Sequence, residues 1–284
     1  SRARLAQWST ELKMDYEHSN GLLLLLRSER DSRTLQPGLQ ALRDAGLGLT
    51  EISPAQARQV EPALNPDTGF FSALHLPSEE VGNCRQFALM LKTEAQRLDV
   101  RFVFHATVTR IAAAAAPTQG VNLTLAGVDQ PQQFDAAVLC AGAAAQPLLQ
   151  PLGVKLALRA LYGYSVSAQV REGLNAPRSA VLDARHQVAI SRLGNRVRVS
   201  GSAELGGQLA HKRPAALAAL YKVLHDWFPG AAHMSAGVQE WKGTRPLLPD
   251  GLPLLGPSGT PGLWLNLGHG DGGLALSCGC AQAL

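Results

Sequence analysis

The sequence predicts a mixed fold, part α/β and part α+β, and three observations point there. Helix-like and strand-like stretches alternate without the regular strand-helix-strand rhythm of a pure parallel sheet. A helical stripe after Asn83 runs within two or three residues into Arg101–His105, a connection short enough for an α/β unit. The stretch from Leu156 to Gly201 instead alternates with period two, most clearly in NRVRVSGS, where Val197 and Val199 point one way and Arg196 and Arg198 the other. The expectation is therefore an α/β domain interleaved with a second domain on a mixed, largely antiparallel sheet.

The elements follow in order. Residues 1–16 read as an amphipathic helix, and Leu22–Leu26 as a buried strand. Ser53-Pro54 supplies an N-cap and an N1 proline for a short helix stopping near Pro62. Asn83 caps a longer one whose face carries Phe87, Leu91, Ala95 and Leu98. Arg101–His105 reads as a strand, followed by short strands near Val108–Ile111, Val121–Leu125 and Ala136–Cys140, with the low-complexity run Ala112–Ala116 between the first two of these three. Pro214 opens a helix with Leu217, Leu220, Leu224 and Phe228 on one side, closed by Pro229-Gly230. Strands near Val238–Trp241 and Gly262–Leu267 complete the pattern, and no internal repeat is visible.

With 284 residues the chain is long enough to bury a sizeable core. Its 26 Lys and Arg against 22 Asp and Glu leave a net charge of only +4, scattered along the sequence, which argues against a nucleic-acid partner. No apolar run approaches the roughly 20 residues of a membrane span, and no secretory signal is seen. The cysteines, Cys84, Cys140, Cys278 and Cys280, match no zinc or thioredoxin spacing. They read as reduced, mostly buried thiols, and no metal site is expected.

NLGHGDGGLALS, Asn266–Ser277, contains Gly268, Gly270 and Gly273 in a G-x-G-x-x-G spacing. A dinucleotide fingerprint also needs a returning strand and an acidic residue about 20 positions on, for which Leu274–Leu284 leaves no room. What survives is local: glycines let a backbone approach a bulky ligand, and a helix start offers free N–H groups with partial positive charge. A strand-to-helix turn made of small residues for packing is the equal alternative.

Together with WKGTRPLLPDGLPLLG (Trp241–Gly256), this loop resembles the C-terminal part of FAD-dependent amine and amino-acid oxidoreductases of the D-amino-acid oxidase superfamily, nearest to the bacterial D-amino-acid dehydrogenases. VEPAL, LHLPSEEVGNCRQFALML, FHATVTRI, LYGYSVS, RVRVSGSAELGG and WFPGA extend the likeness over nearly the whole chain. The resemblance implies part of a Rossmann-like FAD domain interleaved with a substrate domain. Residues 1–80 would form substrate-domain and linking segments, 81–150 part of the FAD domain, 151–242 the substrate domain, and 243–284 the C-terminal part of the FAD domain. The family's own fingerprint lies ahead of the region matched, so weak or absent FAD binding and self-association through an open sheet edge are expected of this chain.

The resemblance also assigns roles. Arg245 matches the arginine that holds the substrate carboxylate, a task suited to a planar, permanently charged guanidinium. Gly268, His269, Gly270, Asp271, Gly272, Gly273 and Leu274 would lie against the flavin ring, with the helix start facing the charge that builds on reduction. Val108 matches a backbone contact to the adenine, and Cys140, Ala141 and Gly142 a strand end close to the cofactor; ordinary core strand is the alternative for each. Tyr164 either edges the substrate pocket or packs on the sheet. Asp271 departs from the neutral residue usual there, and is read as the N-cap of the last helix; otherwise it would be an uncompensated carboxylate. Gly272 and Leu274 also replace larger residues. The implied reaction, expected of a full-length parent and not of this chain by itself, is oxidation of a small D-amino acid, hydride passing to the flavin and electrons to an acceptor such as a quinone. A glycine- or sarcosine-type amine oxidase and a non-catalytic binding module are the alternatives. A cytoplasmic location follows, with or without peripheral attachment at the inner face of the membrane.

Overall fold

The computed structural model describes residues 1–115 and 120–284. Ala116, at the end of the alanine run, lies outside the described residues.

Secondary structure follows the local signals in most places. Helix α1 (Arg2–Glu11) is shorter than the expected 1–16, because Lys13 takes φ 50° and the chain turns away. Strand β1 (Ser19–Leu26) contains the leucine run. Helix α2 (Glu29–Asp44) was not expected from the sequence, since Pro37 and Gly38 lie inside it. A reciprocal capping box secures its start: the Ser28 side chain accepts from Asp31 N–H, and the Asp31 carboxylate accepts from Ser28 N–H. Strand β2 (Thr50–Ile52) leads to α3 (Pro54–Val60), which begins as predicted, with Ser53 and Gln56 forming a second capping box ahead of Pro54. Strand β3 (Ser72–Val81) precedes α4 (Cys84–Arg97), whose Gln86 N–H donates to the Asn83 side chain. Of the apolar stripe on α4 only Phe87 is buried, and Leu98 is 79% exposed.

Arg101–His105 is not a strand. No partner pairs with it among the described residues, Val103 and Phe104 are exposed, and its apolar composition alone cannot make a ladder. Strands β4 (Val108–Ala113), β5 (Val121–Leu125) and β6 (Gln132–Phe134) form an antiparallel sheet. Strand β7 (Ala137–Leu139) and the short helix α5 (Ala145–Leu149) follow. Then come β8 (Arg159–Gln169), β9 (Ala180–Asp183), β10 (Val188–Leu193) and β11 (Arg196–Leu205). Helix α6 (Pro214–Trp227), β12 (Gln239–Leu247), β13 (Leu254–Pro257), β14 (Leu263–Leu267) and α7 (Gly273–Ala283) end the chain.

Two compact units emerge, and the chain passes between them four times. One comprises Ser1–Met14, Leu89–Leu161 and Thr244–Leu284; the other comprises Asp15–Ala88 and Tyr162–Gly243. In the second unit the main sheet runs in the order β12-β8-β11-β10-β9-β1-β3-β2. It is mixed: β1 pairs parallel with β9, and antiparallel with β3. Val166, Val181, Ile190, Val197 and Val199 pack one face of it against Leu220, Val223 and Trp227 of α6. Asp183, fully buried, receives hydrogen bonds from Arg27 Nε at 2.7 Å and Trp227 Nε1 at 2.8 Å, pinning β9 to α6 through polar contacts as well.

The first unit holds the sheet β13-β14-β7, with β14 antiparallel to β13 and parallel to β7. Its core joins Leu139, Leu149, Leu263, Leu265 and Leu267 to Ile111 and Val121 of the β4–β6 sheet. Helix α1 lies along α7, where Gly279 N–H donates to Ser1 Oγ at 3.1 Å and Arg4 Nε to Gln282 Oε1 at 3.2 Å. Cys278 and Cys280 are buried, as expected; Cys84 and Cys140 are exposed, so only half of the thiols are in the core.

Candidate functional site

The glycine loop begins where β14 ends. Gly268 adopts φ 78°, and a β-carbon there would come within 2.7 Å of Leu248 Cδ1, so a glycine is required for both backbone and space. Gly270 also has positive φ, at 52°. Between them His269 bridges to Leu247, tying the loop to the end of β12. The loop winds through one 3-10 turn, Gly270–Gly272, and enters α7 at Gly273.

The N-cap of α7 is Gly272, which has no side chain to cap with. This corrects the reading of Asp271 as the cap. Asp271 sits inside the 3-10 turn, and its carboxylate Oδ1 instead meets Arg245 Nη1 at 3.0 Å. Nor is it uncompensated, because the guanidinium balances its charge. The first-turn amides of α7 are thereby left without a side-chain acceptor, and no acidic residue in that turn offsets their partial positive charge.

Arg245 projects from β12, with its side chain 37% exposed against 75% for Asp271. His269 is partly buried, and desolvation pushes its imidazole below the ordinary histidine range, which keeps it neutral near pH 7. Leu274 is half-buried at the start of α7, and Gly273 has open space around its α-carbon. Asn266, the second-last residue of β14, holds its side-chain Oδ1 buried with no hydrogen-bond partner among the described residues.

A cavity of 610 Å3 lies in the same unit, walled by Thr107, Val108, Leu139, Ala141, Pro147 and Leu148 among others. Val108 and Ala141 were both singled out from the sequence. Cys140 is not part of that wall; it is exposed overall, yet partial desolvation pushes its thiol above the usual range. Gly142 turns the chain at φ 55° into a short 3-10 segment, Gly142–Ala144.

Tyr164 belongs to the other unit, is 1% exposed and packs in the main core. Its hydroxyl donates to the Glu204 carboxylate and accepts from Arg213 N–H at 3.2 Å. Lys242 completes this cluster by donating to Glu204 and to the carbonyls of Gln208 and His211 at 2.8 and 2.7 Å. Its ammonium lies over the rings of Tyr162 and Tyr164 at 4.6 and 5.2 Å. The hydrogen bond from Tyr164, reinforced by Lys242, holds the Glu204 carboxyl below its ordinary range. Sequence reasoning missed Lys242 and Glu204. The alternation of β12 was the available signal, since Trp241, Gly243 and Arg245 share one side and Lys242 the other. Among the described residues no group of three His, Cys, Asp or Glu side chains could hold a metal ion.

The profile of a family described as FAD dependent oxidoreductase matches residues 1–284. A D-amino acid dehydrogenase of Bradyrhizobium diazoefficiens is 36% identical over all of this chain and 67% of its own length. One from Rhodopseudomonas palustris is 34% identical over 94% of this chain and 62% of its own. The chain thus spans about two thirds of the curated relatives it matches. Among solved structures, glycine oxidase from Geobacillus kaustophilus superposes with a TM-score of 0.85 at 22% identity, over 99% of this chain and 75% of that one. L-proline dehydrogenase from P. horikoshii reaches 0.80 at 13% identity, over 97% and 73%. The fold is the one these structures share.

Proposed function

The chain belongs to the FAD-dependent oxidoreductase family, and on that premise we propose that it serves in the oxidation of a small D-amino acid at its amine-bearing carbon, with Arg245 binding the carboxylate. The observation that carries the reading is the Arg245–Asp271 pair at the edge of an uncapped helix start.

Three observations support a fit for FAD: the glycine loop that admits close approach and, among the described residues, the first-turn amides of α7 without a side-chain acceptor and the buried Asn266 Oδ1 lacking a donor. Bound FAD supplies the hydride acceptor for such a reaction. The protein's part is to place the substrate and shape the field around it. Arg245 gives one donor to Asp271 and keeps the rest of its fork for a carboxylate. Asp271, largely exposed, offers an acceptor beside it for an ammonium group. Side by side, the two present a positive and a negative charge that match an amino-acid zwitterion. The α7 amides stabilise negative charge arriving near them. His269, neutral, brings no opposing charge.

Electron transfer onward to a carrier such as a quinone, self-association and a cytoplasmic or inner-membrane-surface location belong to the same proposal. No helix among the described residues is long and apolar enough to cross a membrane.

The test is to titrate FAD into the protein, where weak binding is expected, and with the flavin shown to be bound to follow anaerobic bleaching of its colour with D-alanine, glycine, sarcosine and the methyl ester of D-alanine. Reduction by D-alanine but not by its ester supports the carboxylate contact. Preference for glycine or sarcosine selects the amine-oxidase alternative, and equal reduction by acid and ester removes Arg245 from the site.

A further inference from the structure

A second cluster of cationic side chains lies in the other compact unit, built by the alternation of the main sheet. Tyr164, Val166, Val197 and Val199 go into the core. Their neighbours Ser165, Ser167, Arg196 and Arg198 therefore emerge on the opposite face, where β8 and β11 lie side by side with β12 as the outer strand. Gln239 and Trp241 of β12 extend that face, and Arg85 reaches it from the first turn of α4. Together they wall a groove of 440 Å3.

Three arginines, Arg85, Arg196 and Arg198, stand in its lining. Arg196 is fixed in place, Nε donating to Ser167 Oγ at 2.9 Å and Nη2 to the Ser167 carbonyl at 3.0 Å. The side chains of Arg85 and Arg198 have no hydrogen-bond or ion-pair partner among the described residues. Among the described residues Glu17 is the one carboxylate in the lining, and it already accepts from Asn83 Nδ2 at 2.6 Å. Three guanidinium groups thus share a small concavity with one engaged carboxylate, and each repels the others unless an anion stands between them. Trp241, 55% exposed, offers a flat apolar surface in the wall.

We propose that this groove is a binding site for a small organic polyanion, one bearing two or more carboxylate or phosphate groups. Arg198 and Arg85 clamp the oxyanions, Arg196 and the hydroxyl of Ser165 orient them, and Trp241 covers the carbon skeleton. The guanidinium fork matches both oxyanion geometries, so the shared feature recognised is a pair of closely spaced, multiply charged oxygens. A groove of this size suits a metabolite rather than a polymer. None of the glycine-loop residues contributes, and the proposal does not depend on the reaction assigned to Arg245.

Titration with citrate and with inorganic pyrophosphate at constant ionic strength, read by tryptophan emission, tests it. Saturable quenching is expected, absent in Trp241→Phe and weakened about tenfold or more in Arg85→Gln/Arg198→Gln, as the loss of charge-assisted hydrogen bonds requires. Arg245→Gln should leave it unchanged. Response to citrate alone identifies carboxylate recognition, and to pyrophosphate alone phosphate recognition. Alkylation of the exposed Cys84, followed in a Cys140→Ser background, gives a second readout that does not need the double variant: either anion should slow it. A signal that tracks only ionic strength, or quenching that survives intact in a folded double variant, overturns the proposal, as does unprotected Cys84.

Discussion

Arg245 and Asp271, 26 positions apart in sequence, meet at 3.0 Å across the glycine loop, so an internal carboxylate rests on the cation proposed to receive one from the substrate. The pair is too exposed to matter much for stability. Asp271→Asn should shift unfolding by less than about 1 kcal/mol. It should nevertheless change ligand binding, because the freed guanidinium regains its full fork for a carboxylate while the ammonium loses its acceptor. Binding of a simple carboxylate such as acetate should tighten severalfold, and the amino acid should gain less. Equal gains would remove Asp271 from contact with the amine. Arg245→Lys should restore charge without bidentate geometry and recover only part of the binding lost in Arg245→Ala.

Two glycines in the same loop should respond oppositely to alanine. At Gly268, φ is 78° and Leu248 blocks a β-carbon at 2.7 Å. Gly268→Ala should cost about 1–3 kcal/mol. Gly273 is already helical, at φ −50°, with nothing within 4 Å. Gly273→Ala should be neutral or stabilising by up to about 1 kcal/mol. Thermal unfolding of the two variants reads the contrast directly.

Asp183 has no exposure, and its partners Arg27 and Trp227 also stack, with the guanidinium 4.8 Å from the ring centroid. Asp183→Ala strands the Arg27 charge, which among the described residues retains only Asp226 at 2.8 Å as an ion-pair partner, and takes away the acceptor of the indole N–H. A loss of about 3–5 kcal/mol is expected by denaturant titration. A loss below about 1 kcal/mol would show that the site relaxes or admits water.

The same carboxylate sets an acid limit. Burial alone would raise the Asp183 pKa, but hydrogen bonds from Arg27, Trp227 and His186 N–H outweigh it and hold the group below its ordinary value. Asp226 is lowered likewise, through Lys222 and Arg27. A folded pKa below the unfolded one means stability that is complete above the unfolded value, about 3.9, and lost as pH falls through the folded value. Unfolding free energy should therefore decline below about pH 4–5, and the decline should be shallower in Asp183→Asn. A wild-type profile flat to the acid limit would contradict the assignment.

Elements written in local chemistry were legible. Ser53-Pro54 announced α3, the spacing of leucines announced α6, and the valine–arginine alternation of β11 placed two arginines opposite the core. Where the signal was weak or cut across local rules, it misled. Pro37 and Gly38 concealed α2, although Ser28 and Asp31 formed a readable capping box. Arg101–His105 carried strand-like residues without a partner to pair with. For Tyr164 two readings stood open, pocket edge and packing on the sheet; local sequence did not show that it is buried with its hydroxyl on Glu204.

For the site, the sequence determined the family, the glycine loop with its strand before and helix after, and the arginine on β12, because backbone period and motif spacing are local quantities. Only tertiary structure decided what Asp271 does. Read locally, an aspartate just ahead of a helix caps it; in the fold, the positive φ of Gly268 and Gly270 carries it one residue too early for the cap and into reach of Arg245. A charge finds its partner by distance in space. That distance is set by how β12 and β14 lie within one unit, which no window of neighbouring residues contains.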